Sequence, residues 1–281
     1  MSEKIAVLVD SGCDVPQTVI AESSNLAIVA LNVRQNGVDY LDGVDLTPDE
    51  FYAHLTPDNL PQTASPAPAV AAAHMQDLFN AGYTKILALS ISGALSATYQ
   101  GMRLAAQEFK AGQVMVLDTK NAGIGSGLIV AYALKLIAQG CEFPEVIAAV
   151  QQSIQHSGVW LYIPSLTYLQ AGGRIGKVAG TLGSVLNIKP LLSVNDNGEI
   201  IAVAKVRSEK KAVTKLIDIA LATAGPQATI AVAHGANFDL LHEVTAQIEA
   251  TGRHVAFTGS VSPAIGVHTG PGLIGVAVQN P

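Results

Sequence analysis

The sequence predicts a two-domain α/β protein, with an N-terminal three-layer α/β/α domain around a parallel sheet and a C-terminal two-layer α/β domain with a mixed sheet. In the first half, apolar strand-like runs alternate with helix-like segments, which is typical of a parallel sheet covered on both faces. Beyond residue 156 a hairpin pattern at residues 189–206 interrupts this alternation and indicates antiparallel pairing. Because 281 residues exceed the usual size of one domain, we expect domains at residues 1–156 and 157–281.

The N-terminal half contains four predicted strands, each a short apolar run that ends at a polar or glycine-containing loop. They cover residues 4–10, 26–33, 85–91 and 114–118. Helices are predicted after these strands, with Asp14 as one N-cap and with Thr47 and Pro48 at the start of another. They cover residues 16–23, 48–55, 66–80, about 97–109, 122–138 and 144–156.

Hydroxyl side chains gather where predicted strands meet the following helices. Ser65 is a candidate cap for the alanine-rich helix, and Ser90, Ser92 and Ser96 lie between the third strand and its helix. Ligands of open α/β sheets bind at the carboxyl ends of the strands. We therefore expect a ligand near these serines.

The C-terminal half combines the hairpin with further strand and helix signals. A turn at residues 195–198, rich in Asn, Asp and Gly, separates the two hairpin strands. Further strands are predicted at residues 159–163, 229–233, 255–261 and 273–278, and helices at residues 208–224 and 238–251.

Composition disfavours two classes of main partner, nucleic acid and anionic membranes. Apolar residues make up 49% of the chain and charged residues 14%, with a net charge of -6 and without a lysine or arginine cluster. Nucleic acid and anionic membranes both reward clustered positive charge, so neither is expected as the main partner. No run reaches the roughly 18 uncharged apolar residues of a membrane span.

The two cysteines, Cys13 and Cys141, are far apart and lack the spacing of metal ligands. Their scarcity suits a reducing compartment, and residues 1–10 enter a strand pattern without a leader. We therefore expect a cytoplasmic protein without a bound metal.

The most informative stretch, residues 159–192, contains an arginine surrounded by glycines. Gly172, Gly173 and Gly176 allow sharp turns on either side of Arg174, and a helix of small residues follows. Arg174 is therefore a candidate anchor for an anion. These residues alone are equally consistent with a surface arginine in a glycine-rich turn.

Known enzyme motifs are not matched. Residues 270–275 fit the G-x-G-x-x-G string but precede a terminal strand, and Lys177 lacks the first glycine and the following Ser or Thr of a phosphate loop. His242 and Glu243 lack the second histidine of a zinc protease, and no serine has the G-x-S-x-G context of a hydrolase. We therefore predict no catalytic residues in this chain.

An ordered set of short motifs extends over nearly the whole chain. They are Asp10-Ser11 with Asp14, Asp42-Gly43, the run from Leu95 to Gln100, Gly172-Gly173-Arg174-Ile175, Ile188-Lys189-Pro190 and the run from His268 to Gly272. In this set the chain resembles the DegV family, the fatty-acid-binding proteins that act as acyl carriers for bacterial fatty acid kinase.

The resemblance implies that a long-chain fatty acid lies in a tunnel between the domains and that a separate fatty acid kinase subunit phosphorylates it. It implies four carboxylate-binding residues, Thr63, Ser92, Arg174 and His268. It implies no cofactor and no catalysis by this chain. Three positions depart from the family pattern, Ala64 and Gly93 where serines are expected and Ala97 where glycine is usual.

The four residues also suit this chemistry on physical grounds. A buried carboxylate is costly unless several donors satisfy it, and bonds from an arginine and hydroxyls are strong. Thr63 and Ser92 lie at neighbouring strand-to-helix junctions, so two helix dipoles would add to the field, although both hydroxyls also suit simple helix caps.

Two other functions compete with the carrier. The fold also resembles dihydroxyacetone kinase substrate domains, in which a histidine holds a small carbonyl ligand, a role for which His268 or His234 is a candidate. A regulatory interaction protein without a ligand has the least support. Release of a long-chain acid on denaturation distinguishes the carrier from both.

Overall fold

The computed structural model describes residues 3–56, 60–181 and 189–281. The strands are β1 Ile5–Asp10, β2 Leu26–Val29, β3 Asn32–Gln35, β4 Val38–Leu41, β5 Gln62–Ala64, β6 Lys85–Ser90, β7 Val114–Asp118, β8 Gly158–Tyr162, β9 Lys189–Val194, β10 Ile200–Val206, β11 Thr229–His234, β12 Val255–Ser260 and β13 Ile274–Gln279. The α-helices are α1 Gln17–Glu22, α2 Pro48–Ala53, α3 Pro68–Asn80, α4 Thr98–Ala106, α5 Ile124–Ala138, α6 Phe143–His156, α7 Thr167–Ala171, α8 Val178–Thr181, α9 Glu209–Thr223, α10 Phe238–Glu249 and α11 Pro263–Thr269.

The N-terminal sheet is parallel, with strand order β2-β1-β6-β7. Side chains alternate across it, so Val7 and Val9 of β1 pack with α5 and α6 while Ala6 and Leu8 pack with α3 and α4. Every residue of β1 is buried, as expected of a strand covered on both faces. The predicted three-layer α/β/α arrangement is confirmed.

The C-terminal sheet is mixed, with strand order β10-β9-β8-β13-β11-β12. Only the β11–β12 pair is parallel among its described strand pairs. Helices α9 and α10 cover one face through a cluster that includes Leu216, Leu241 and Val276. The predicted two-layer α/β unit with a mixed sheet is therefore confirmed, and so is the hairpin of β9 and β10.

Helix α5 lies between the two sheets. It contacts β1 on one side and β8, β11 and β13 on the other. Its sequence is apolar around almost the whole circumference, and nine of its fifteen residues are buried. Ile129 and Val130 belong to the N-terminal core, whereas Ile124 and Leu128 pack with the mixed sheet. This one helix joins both cores.

The division of the chain follows from which sheet each strand joins. Helix α6 ends at His156, and β8 is the first strand of the mixed sheet. We propose that the boundary between residues 1–156 and 157–281 lies here, with α5 as the N-terminal element that the second domain packs on.

A third, antiparallel sheet was not predicted. It has strand order β4-β3-β5 and contains a hairpin at Asn36 and Gly37, both with positive φ. The predicted strand at residues 26–33 is therefore wrong as one element, because the chain leaves the parallel sheet after β2 and β3 pairs elsewhere. Residues 38–41 form β4 and residues 62–64 form β5, in two stretches where no strand was predicted. Such short strands have too little periodicity to reveal themselves in sequence.

Several predicted helix starts are shifted. Helix α3 begins at Pro68 with Ala67 as N-cap, so Ser65 is not its cap, and the N-cap of α1 is Pro16 and not Asp14. Thr47 does cap α2, in a capping box with Glu50. The helix predicted after Gly176 is present as α8, while its continuation and the motif residue Ile188 lie outside the described residues. Among the helices described, none is long and apolar enough to cross a membrane.

The burial of α5 leads to a prediction about Gly127. A Cβ there would lie 2.6 Å from the Asp14 carbonyl oxygen and 2.7 Å from that of Cys13, both of them backbone atoms. We expect Gly127→Ala to lower the free energy of unfolding by about 2 kcal/mol through overpacking, measured by urea denaturation.

Gly101 of α4 provides the matched control, because the nearest atom to its added Cβ is 3.8 Å away. Gly101→Ala is expected to raise the free energy of unfolding by about 0.5 to 1 kcal/mol, the ordinary helix preference for alanine. Equal effects at both glycines would contradict close packing of α5 on the loop after β1.

Candidate functional site

An apolar cavity lies between the mixed sheet, α5 and α11. Its empty volume is about 850 Å³, including the space at its mouth. Aliphatic side chains from both halves of the chain form most of the wall, including Leu31, Ile91, Leu95, Ile124, Val159, Leu161, Leu169, Val194, Ile200, Val261, Ile265 and Leu273. Ala233 and Gly275 leave space where neighbouring strands of the sheet face the cavity. Such a wall suits a flexible aliphatic ligand.

Polar side chains gather at one end of the cavity. The Thr63 Oγ1 atom lies 2.9 Å from His268 Nε2, and both residues line the cavity together with Ser96 and Arg174. The hydroxyl of Ser96 is 3.0 Å from Ser65 Oγ and 2.8 Å from Thr98 Oγ1. Three of the four residues predicted from the sequence therefore meet here, namely Thr63, Arg174 and His268.

The guanidinium of Arg174 is fixed by backbone atoms from both halves of the chain. Its Nε donates to the Leu95 carbonyl oxygen at 3.1 Å, and its Nη1 donates to the Gly172 carbonyl oxygen at 2.8 Å. The turn after α7 supports this position, since the Arg174 amide donates to the Leu169 carbonyl and Gly173 has a φ of 69°. Arg174 is therefore a half-buried residue of the cavity wall rather than a surface arginine.

His268 lies in the last turn of α11, a helix that was not predicted from the sequence. Burial, and then the nearby charge of Arg174, lower the pKa of His268 to about 4. The imidazole is therefore neutral at physiological pH. Its Nδ1 atom packs against Gly172, where any Cβ would overlap it, and has no hydrogen-bond partner among the described residues.

Ser92 does not join this group. Its buried hydroxyl donates to the Gly198 carbonyl oxygen at 2.7 Å and accepts from the Ala94 amide, and the side chain does not line the cavity. Gly198 belongs to the turn between β9 and β10, so Ser92 contacts the C-terminal half at the outside of the site. Thr63 lies on β5 and Ser92 precedes α4 by several residues, so the expectation that both hydroxyls lie at helix N-termini is wrong.

Ser96 lines the cavity although it is not one of the four predicted contacts; a ligand was expected only near the group of serines that includes it. Ser96 stands in a run of serines before a helix, a pattern that predicts a cap equally well. In the structure Leu95 and Ser96 form part of the wall on either side of the Leu95 carbonyl that binds Arg174. Two signals pointed to it, the position after the carboxyl end of β6 and the motif that starts at Leu95.

The polar end of the cavity adjoins a surface cleft. Leu95, Ser96, Arg174 and Ile200 line both the cavity and the cleft. The remaining lining residues of the cleft are Gly93, Ala94, Ala97, Gln100, Gly173, Gly176, Lys177 and Glu199. A ligand group held at this end of the cavity would therefore lie next to the surface.

Within the described residues, no cluster of three or more His, Cys, Asp or Glu side chains could hold a metal ion. The polar end instead combines hydroxyls, a cation and a neutral imidazole, all of which can donate hydrogen bonds to an anion.

The fold and the site define a class of protein, a two-domain α/β protein with an apolar cavity between its sheets and an anion-suited group at the cavity's end. The family model of DegV family proteins matches residues 4–280. The chain belongs to the DegV family. A DegV domain-containing protein of Clostridium acetobutylicum is 32% identical over 280 residues, covering 98% of this chain and 99% of the relative.

Solved structures of the family show the same fold. A DegV family protein from Thermus thermophilus, whose structure is described as showing fatty acid binding, has a TM-score of 0.92 at 30% identity and covers 99% of this chain and 100% of its own. A fatty acid binding DegV family protein from Streptococcus agalactiae has a TM-score of 0.91 at 25% identity, with both chains fully covered at 100%.

The environment of His268 leads to a testable pKa. Because burial and Arg174 both disfavour the imidazolium, we expect its NMR titration midpoint near pH 4 instead of 6.5. The neutral form is the one that folding favours, so this stabilisation is complete above about pH 6.5 and is lost as the pH falls towards 4. His268→Gln should therefore flatten the pH dependence of the unfolding free energy in this window. A midpoint above pH 6 would contradict a buried neutral imidazole.

Proposed function

We propose that this protein binds a long-chain fatty acid, with the acyl tail in the apolar cavity and the carboxylate at Thr63, Ser96, Arg174 and His268. The observation that carries the proposal is one aliphatic cavity that ends at an arginine, a neutral histidine and hydroxyls. Fatty acid binding by the related Thermus thermophilus and Streptococcus agalactiae proteins supports it.

The cavity wall supplies the larger part of the binding free energy. Each buried methylene contributes about 0.8 kcal/mol, so about 15 methylenes contribute on the order of 10 kcal/mol before ordering costs. The low aromatic content of 5% suits a flexible aliphatic chain better than a flat ring. Retention of the acid through purification follows from these magnitudes.

The polar end supplies orientation. A guanidinium has five N–H groups, and the two bonds from Arg174 to backbone carbonyls fix its plane at the cavity wall. A neutral His268 with its proton on Nε2 donates to Thr63 Oγ1, which leaves the Thr63 hydroxyl proton available to a carboxylate. The ligand then receives a charge-assisted bond and hydroxyl bonds, which together offset desolvation of the carboxylate.

Ser92 has a different role in this proposal. Its hydroxyl holds the turn between β9 and β10 through Gly198, next to Ile200 of the cavity wall. We therefore assign the second hydroxyl contact to Ser96 and treat Ser92 as a residue that positions the wall.

We further propose that the protein is a non-enzymatic carrier of the cytoplasm that presents the carboxylate to a separate kinase. The cleft that adjoins Arg174 provides an approach to the carboxylate. The kinase transfers the terminal phosphoryl group of ATP to a carboxylate oxygen, giving an acyl phosphate and ADP. The partner supplies the nucleotide site, since this sequence contains neither a phosphate loop nor a dinucleotide fingerprint.

Mass spectrometry of the purified and denatured protein tests the ligand class. We expect release of a long-chain fatty acid in an amount near one per chain. A bound small carbonyl compound such as dihydroxyacetone would instead favour the alternative function, a substrate-binding subunit of the dihydroxyacetone kinase type. Absence of any ligand after incubation with palmitic acid would contradict the proposal.

Arg174→Ala tests the head-group assignment. The variant loses a charged donor, and we expect palmitic acid to bind roughly 10- to 100-fold more weakly, because such bonds contribute about 1.5 to 3 kcal/mol. Lys177→Ala is the control, since Lys177 lines the cleft but not the cavity and pairs with Glu199 at 2.7 Å. Equal affinities of the two variants would exclude Arg174 as the anchor. Both are measured by isothermal titration after the endogenous acid is removed.

A phosphotransfer assay tests the carrier role. Acyl phosphate should form only when this protein, a fatty acid kinase and magnesium ATP are all present, as detected with labelled ATP. Labelled acyl phosphate formed by this protein alone would make it an enzyme and would contradict the proposal.

A further inference from the structure

Helix α11 is held at its N-terminus by carboxylates from the other half of the chain. The helix begins after Ser262, whose side chain makes no capping bond, and its first residue, Pro263, has no N–H group. The Ser262 amide donates to Asp14 Oδ1 at 3.2 Å, and the Ala264 amide donates to Asp42 Oδ1 at 3.1 Å. Two residues far away in sequence therefore replace the missing local cap.

Asp42 is the more constrained of these two residues. Its side chain is 2% exposed, and its second oxygen accepts from the Ser11 hydroxyl at 2.6 Å. That hydroxyl in turn accepts from the Leu31 amide, so the loop after β1 and the segment between β2 and β3 are tied to the same carboxylate. Leu31 also lines the cavity.

The carboxylates lie in an environment without a nearby cation. None of the ion pairs within the described ranges includes Asp10, Asp14 or Asp42. Burial raises the pKa of Asp42 and of Asp14, and it raises that of Asp10 to about 6. For Asp14 and Asp42, the amides at the start of α11 offset part of the free energy that their carboxyl groups lose on leaving water.

One face of α11, along its whole length, carries the cavity-lining residues. Ala264, Ile265, His268 and Thr269 all line the cavity, which puts one face of the helix in its wall. His268 follows the Asp42 contact by four residues, or about one helical turn. A shift of the helix at its first turn would therefore move the imidazole away from Thr63.

We propose that Asp42, together with Asp14, is a positioning residue for the ligand site: the two carboxylates fix the first turn of α11 and thereby set the place of His268 opposite Thr63. The part that concerns affinity rests on the proposed fatty acid binding. The part that concerns the geometry of His268 is independent of any ligand.

The first experiment uses the free protein. The imidazole resonances of His268 are assigned by NMR as the signals that are missing from the spectrum of His268→Ala. They are then compared in wild type, Asp42→Ala and Asp42→Asn. We expect Asp42→Ala to shift these resonances and to move the His268 titration midpoint upwards. Asp42→Asn keeps an oxygen that can accept from the Ala264 amide, and it is expected to give a smaller change in the same direction.

A distant helix cap provides the control. Glu145 completes the capping box of α6 and accepts from the Glu142 amide at 2.9 Å, so Glu145→Ala also removes a carboxylate from a helix N-terminus. Any general loss of stability is shared by both kinds of variant. The His268 signals should change only in the Asp42 variants.

The second experiment measures palmitic acid affinity in a double-mutant cycle with His268→Ala. We expect Asp42→Ala to weaken binding about tenfold in the wild-type background and less than twofold when His268 is absent. Asp42→Asn should weaken palmitic acid binding about threefold in the wild-type background, and this loss should likewise disappear when His268 is absent. Should Asp42→Ala fail to fold, the asparagine variant carries the comparison.

Two results would overturn the proposal. One is that the His268 resonances are unchanged in the ligand-free Asp42 variants. The other is that Asp42→Ala weakens palmitic acid binding by the same factor whether His268 is present or absent. If wild type binds no palmitic acid, the proposed function fails, yet the NMR comparison still decides whether Asp42 positions His268.

Discussion

The need to bury the first half of α5, residues 124–130, on all sides governs this structure. A helix that is apolar around its circumference cannot lie on a surface, and two sheets packed on opposite sides of it meet that requirement. Gly127 allows the loop after β1 to contact the helix backbone, which brings Asp14 and its neighbours close to the mixed sheet. The interdomain cavity is the space that remains beside α5, where Ile124 faces Val159 and Ile265.

The site is an extension of this packing. The residues at its polar end are held by contacts that cross between the halves of the chain: Thr63 with His268, Arg174 with Leu95, and Asp42 with Ala264. Each contact pairs a side chain with a group far away in sequence, so neither half alone contains a finished site. The neutral state of His268 has the same origin, because burial between the halves is the main cause of its low pKa.

Much of this was predictable from sequence, for reasons that differ between elements. The parallel strands β1 and β6 and the hairpin of β9 and β10 carry continuous apolar runs and a turn of strong local preference, so their prediction was confirmed. The three-residue strand β5 and the seven-residue helix α11 carry little local signal, and both owe their form to tertiary contacts. Thr63 and His268 were therefore identified through the family resemblance, whereas the strand that contains Thr63 and the helix that contains His268 were not predicted. Ser92 and Ser96 both lie between β6 and α4, so the local sequence does not distinguish them. Their roles differ because the Ser92 hydroxyl donates to the Gly198 carbonyl, whereas Ser96 lines the cavity.

In the proposed complex with a fatty acid, the two carbonyl bonds of Arg174 have a consequence for how fast the acid leaves. One acceptor, Leu95, belongs to the N-terminal half and the other, Gly172, to the C-terminal half. Parting of the halves by a few ångströms would break the first bond and release the guanidinium from its fixed plane. The hold of Arg174 on the proposed acid is then tied to the interface between the halves, so the residence time of the acid is expected to depend on the opening of that interface as well as on contacts with the tail.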